Sequence, residues 1–232
     1  MHTWRCVLAE WQLLRARVLR TRLGLWLALL GGGLGWLALS AGGGAAALEG
    51  LSLRLGALSA VLCVAFSVGS DLDRAALRLT LTHPTTPLAV AAGRWLGATT
   101  LAAIVTLAAT ATVAWDSGSG GVAWLRAAVA GVGTAGATAG CALCIVVLGG
   151  NALVGVLFCY MVLLSGLPPA GLDPLMSPGV WRSAAAAVLH LTPALWRYRG
   201  LAVGAVGAWL HAFVWMAGGV GATGLLLRRR AR

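Results

Sequence analysis

The chain has no lysine, and all 17 of its basic residues are arginine. A P-loop needs the lysine of G-x-x-x-x-G-K-[ST] to hold the terminal phosphates. Schiff-base chemistry needs a lysine amine. Neither can reside in this polypeptide, so any P-loop ATP hydrolysis associated with it must come from another subunit. Acidic residues are also scarce, six in 232, and none lies inside the apolar runs described below. Ion-coupled carriers keep ionisable groups at membrane depth. This scarcity therefore argues against a secondary transporter and removes a carboxylate pair for intramembrane hydrolysis.

Cysteine usage excludes more. The five cysteines are Cys6, Cys63, Cys141, Cys144 and Cys159. Their number is odd and four lie in apolar runs, so they imply no disulfide framework. Cys141 and Cys144 form a C-x-x-C with no further zinc ligands nearby, and they read as small residues packed in a bilayer. No metal and no cofactor is expected in this chain.

What is present is apolar. Hydrophobic residues make up 59% and charged residues 10%, against about 25% charged in a soluble domain. Each membrane span takes about 20 apolar residues, so 232 residues hold five to seven spans and no sizeable soluble domain. The fold class expected is all-α integral membrane, a single transmembrane domain over 1–232. A net charge of +11 in a soluble protein would suggest nucleic acid. Here the arginines flank apolar runs, so the positive-inside rule and anionic lipid headgroups account for them. Membrane lipids are expected partners, and nucleic acid is not.

Residues 1–22 are basic and amphipathic. Trp4, Val7, Trp11, Leu14 and Val18 recur at helical spacing on one face, with Arg5, Gln12, Arg17 and Arg20 on the other. The pattern predicts a helix lying in the cytoplasmic interface, tryptophans at headgroup depth. Spans are expected at 23–41, 51–70 and 95–115. Residues 122–167 suit two spans, broken at Gly149-Gly150-Asn151, and 201–227 form the sixth. Residues 168–200 carry Pro168, Pro169, Pro174, Pro178 and Pro193 and form an outer segment. In it, Ser177-Pro178 opens a short helix through Trp181, Val188 and Leu189. With the N-terminus inside, twelve arginines are cytoplasmic and five are outside, so six spans place both termini in the cytoplasm. Small-residue pairs at Gly31/Gly35, Gly136/Gly140 and Gly200/Gly204 permit close helix approach, within one subunit or between two.

The most polar interruption runs from Asp71 to Trp95. It holds Asp71, Asp73, Arg74, Arg78, Arg94 and a His83-Pro84 break. Asp71 and Asp73 are expected at the N-terminus of a short helix, where its dipole favours carboxylates. Leu72, Ala75, Ala76 and Leu79 fall on one side of that helix and suit a partner's groove. The residues alone leave two readings level, a docking loop and an ordinary solvated loop. His211, near the middle of the last span, reads as a histidine hydrogen-bonded to a neighbouring helix or as a pathway residue. Trp209 and Trp215 are candidates to face an amphipathic substrate, with packing or lipid contact as the alternative. Asn151 and His190 read as a turn residue and a helix-end residue.

The order of features resembles the permease subunits of the ABC transporter type-2 (exporter) family. Asp71/Asp73, Ala76-Leu77, Leu79-Thr80-Leu81-Thr82-His83-Pro84 and Arg94 occupy the places of that family's first cytoplasmic loop. Ser165-Gly166-Leu167-Pro168 through Leu191-Thr192-Pro193 is similar to its Pro-rich outer segment. The loop departs from the family pattern in having Asp and Ala-Ala where a glutamate and Gly-Thr are usual. The haem-exporter permease of cytochrome c maturation has a similar first loop but matches the outer segment less well. The resemblance implies a non-catalytic subunit in the cell (inner) membrane that forms a substrate pathway with a second permease subunit, identical or homologous. A separate ABC ATPase carrying ATP and Mg would act on residues 71–94. The residues implied to couple to it are Asp71, Leu72, Asp73, Arg74, Leu77, Arg78, His83 and Pro84. A membrane scaffold that recruits soluble partners through the same loop, and a stand-alone carrier or channel, are the alternative classes.

Overall fold

In the computed structural model, residues 2–20, 22–42, 44–73, 86–155, 157–158, 166 and 168–230 are described, with only the backbone of 2, 3, 17, 19, 70 and 73. All regular structure among them is helical. Helix α1 is His2–Arg20, α2 is Leu23–Ser40 and α3 is Ala45–Val64. Helix α3 runs on through a π-helical turn, Ala65–Gly69, into Ser70–Asp73. Then come α4 (Pro87–Asp116), α5 (Gly121–Gly149) and α6 (Val180–Leu191). Helix α7 begins as Val206–Phe213, passes through a π-helical turn at Val214–Gly218 and continues over Gly219–Arg230.

Five stretches are long and apolar enough to cross a membrane: Leu23–Ser40, Ala45–Gly69, Pro87–Asp116, Gly121–Gly149 and Val206–Arg230. The remaining expected span, in the second half of 122–167, lies mostly outside the described residues. Two of the five are central. The α3 and α5 spans are 83% and 78% buried, whereas the other three are 28–33% buried. Their contact is backbone on backbone, because a Cβ on Gly56 would run into the Gly131 carbonyl. Ser52 Oγ donates to Ala127 O across the same crossing. In an apolar medium such packing and interhelical bonding replace the hydrophobic drive that water supplies. Threonines 110, 134, 138 and 223 donate to the carbonyl four residues back, which satisfies their hydroxyls without a partner helix.

Contacts define the two ends of the bundle. Gly224 packs on Leu88, and the Arg230 guanidinium reaches Leu148 O beside Gly150. A cation at the α5 C-terminus complements the helix dipole. The starts of α2 and α4 and the ends of α3, α5 and α7 therefore share one arginine-rich end. The opposite end carries residues 41, 42 and 44, 117–120 and the 168–205 segment.

Several boundaries differ from the sequence expectation. Helix α3 starts at Ala45, so Glu49 and Gly50 are helical, and α4 starts at Pro87, with the Thr86 hydroxyl accepting from Ala89 N. The loop is correspondingly shorter than 71–94. The helix expected to open at Pro178 opens at Val180, after Gly179. Gly150 adopts φ +78°, and Asn151 Oδ1 accepts from Val154 N. The expected break is thus a left-handed cap followed by a new turn. Gly31 and Gly35 face Val105 and Val113, while Gly136 and Gly140 face Met216 and Trp215. Both pairs serve packing within the chain. Gly204, at φ +74°, ends a 3-10 turn.

Candidate functional site at the arginine-rich end

Arg94 sits two turns into α4 and is 2% exposed. Its Nε donates to Glu10 Oε2 at 2.7 Å, and its Nη1 lies 2.8 Å from Asp71 Oδ2. The Asp71 contact is poorly aligned for a hydrogen bond, so its attraction is mainly coulombic. Glu10 and Asp71 are themselves buried. One guanidinium therefore joins three elements: α1, the end of α3 and the start of α4. Desolvating such ions costs several kcal/mol each, on the order recouped only with good geometry, and removing one partner costs about 3–5 kcal/mol.

Local sequence explains how the groups meet. Helix α1 buries Val7, Glu10, Leu14 and Val18, a three- and four-residue stripe. It lies directly on α4, because a Cβ on Gly93 would meet Glu10 Cβ at 2.6 Å and one on Gly97 would meet Leu14 at 3.1 Å. Trp11 Nε1 donates to Thr100 Oγ1 at 3.0 Å. The expected apolar face of α1 is real, but much of it packs on α4, and Trp4 remains exposed. Glu10 went unrecognised in the sequence. Its signal was a carboxylate in the middle of an apolar stripe, which asks for a buried cation.

Asp71 corrects another expectation. It does not open a new helix: Ser70–Asp73 follows without a break from the π-helical turn Ala65–Gly69 of the α3 run. The preceding π-helical turn packs Gly69 on Ala152 and Ala65 against Gly155. A π-turn inserts one residue and re-aims the next helical turn by about 100°, which bears on where Asp71 points. Arg94 is likewise no loop arginine but a buried residue of α4. Leu72 is half-buried beside the site. Asp73 is described only by its backbone. Arg74, Leu77, Arg78, His83 and Pro84 lie outside the described residues.

The other candidates sit at the opposite end. His211 Nδ1 is 3.0 Å from Tyr198 Oη, and its Nε2 is 3.2 Å from His190 O. A carbonyl only accepts, so Nε2 carries the proton and Nδ1 accepts from the Tyr198 hydroxyl. Burial pushes the Tyr198 phenol above its ordinary value, which keeps it a donor. Trp215 Nε1 donates to Leu191 O at 2.8 Å. The carbonyls at the end of α6 lack intrahelical partners, and α7 supplies two of them. His211 and Trp215 thus hold α6. Trp209 lines an apolar cavity of about 440 Å³ with Trp95, Thr99, Gly133, Gly136 and Met216. Among the described residues, no group of three or more His, Cys, Asp or Glu is placed to hold a metal.

No family model and no curated protein matches this chain.

Proposed function

We propose that this chain is the transmembrane permease subunit of an ATP-driven exporter, itself non-catalytic, working as a dimer in the cell membrane with a separate ABC ATPase. The arginine-rich end is then cytoplasmic, with both termini and six spans as the arginine distribution suggests. The observation that carries the reading is the Glu10–Arg94–Asp71 cluster. Asp71 and Arg94 lie on the two helices that flank residues 74–85, and their pairing couples α3 to α4 mechanically. Glu10 adds α1 to the same unit. A subunit that pressed on 74–85 would move three helices together, whereas an unpaired loop would absorb the push in its own backbone. Nucleotide-driven closure of the ATPases at this loop would rock the membrane halves and move substrate outward.

The reading expects an ATPase gene beside that of this chain, and the test is co-expression of the two, followed by purification of the complex in a lipid environment. The permease reading expects a stoichiometric complex whose ATPase activity falls when residues 74–85 are replaced by a Gly/Ser linker. A loop replacement that leaves ATPase activity and complex formation intact counts against it.

A further inference from the structure

We propose that the groove between α2 and α4 holds one acyl chain of an anionic phospholipid, with the headgroup at Arg20 and Arg22. The proposal does not depend on the exporter reading. The groove has a volume of about 540 Å³ and is lined by Gly24, Ala28, Gly32, Trp36, Ile104 and Ala108, among others. From Gly24 to Leu39, both in its lining, it follows α2 for about 22 Å at 1.5 Å per residue. That length exceeds one leaflet's share, about half, of a hydrocarbon core about 30 Å thick. Its depth comes from missing side chains. A Cβ on Gly31 or Gly35 would touch α4, but one on Gly32 would meet nothing within 4 Å.

Charge selects the occupant. Arg22 is the residue before α2, two positions from Gly24, and Arg20 closes α1; both are exposed. They stand at the arginine-rich end, beside the first lining residue of the groove. A second copy of this chain would lie in the same orientation in the bilayer. Symmetric pairing through the groove would bring its Arg20 and Arg22 to the same depth as these, like charge on like charge. A lipid phosphate brings the opposite charge, and a basic residue near an anionic lipid surface contributes roughly a fivefold gain in binding.

The experiment is native mass spectrometry of the purified full chain in detergent, titrated with phosphatidylglycerol and, separately, with phosphatidylcholine of identical acyl chains. Two arginines predict a preference for phosphatidylglycerol of about thirtyfold. Arg20→Gln/Arg22→Gln should bring the two lipids within about threefold of each other. Gly32→Leu, which extends into open space, should abolish the retained phosphatidylglycerol while the circular dichroism and melting temperature stay as in the parent. Equal retention of the two lipids by the parent chain overturns the proposal, as does full retention by Gly32→Leu. Light scattering is the further control. A dimer that Gly32→Leu converts to monomer would show that a second copy fills the groove, and would overturn the lipid assignment.

Discussion

Arg94→Leu isolates the electrostatics of the arginine-rich end. The substitution leaves Glu10 and Asp71 facing a site that no longer holds their shared cation, both of them buried. Breaking a buried ion cluster by removing one partner costs about 3–5 kcal/mol. For a chain of 150–250 residues, 1 kcal/mol shifts the melting temperature by about 2–4 °C, so the expected loss is about 6–20 °C. The compensating variant Glu10→Leu/Asp71→Leu/Arg94→Leu removes all three charges. Replacing a whole buried cluster by apolar groups is neutral to stabilising by about 1–4 kcal/mol, so this triple variant should melt at or above the parent temperature. The assay is thermal unfolding in detergent followed by size-exclusion recovery, with hydrogen exchange over α1 as a local readout. Arg94→Leu should raise exchange across His2–Arg20 because Glu10 loses its tether. A single variant that melts within about 2 °C of the parent, or a triple variant as unstable as the single one, would refute the reasoning.

Other substitutions test neighbouring contacts. Gly93→Val should lift α1 off α4, because its first side-chain atom already meets Glu10 Cβ at 2.6 Å; overpacking of this kind costs about 1–3 kcal/mol, read by the same melting assay. Trp11→Phe should cost about 1 kcal/mol by removing the 3.0 Å bond to Thr100. His211→Phe leaves the His190 carbonyl without its donor, and limited trypsin cleavage at Arg182 should rise while the core spans stay protected. Burial raises the Tyr198 phenol pKa. Its contribution is therefore complete below about pH 10, the unfolded value, and is lost as pH rises further. Tyr198→Phe should remove the late-titrating component of the 295 nm absorbance and flatten the fall in stability above that pH.

Hydropathy made most of the architecture readable. Span ends at Ser40, Asp116 and Gly149 fall where polar or glycine-rich residues interrupt apolar runs, and Gly150 and Asn151 stop α5 as their backbone preferences dictate. Hydropathy did not show which spans are central. The α3 and α5 spans are only slightly more apolar than the other three, a small difference beside the large one in burial. The better signal was Gly56 and Gly131, where bare backbones touch. The polar stretch was delimited too widely, since residues 71–73 and 87–94 are helical. Asp71 and Arg94 looked like loop charges because each is polar beside an apolar run, while the partner that buries Arg94 lies 84 residues away in α1. Glu10 could have been paired with a cation by its place on the buried stripe, but which arginine answers it depends on how α1 crosses α4. The π-helical turn at Ala65–Gly69 has no sequence mark, since AFSVG is as compatible with an uninterrupted α-helix.

The central claim is that this chain works as a permease driven by a separate ATPase at residues 74–85. The most direct measurement is affinity purification of the tagged full chain from its native membrane, with partners and stoichiometry determined by mass spectrometry. The account predicts a P-loop ATPase in one-to-one ratio with the chain, lost when 74–85 is replaced. A stable monomer with no ATPase partner would contradict it.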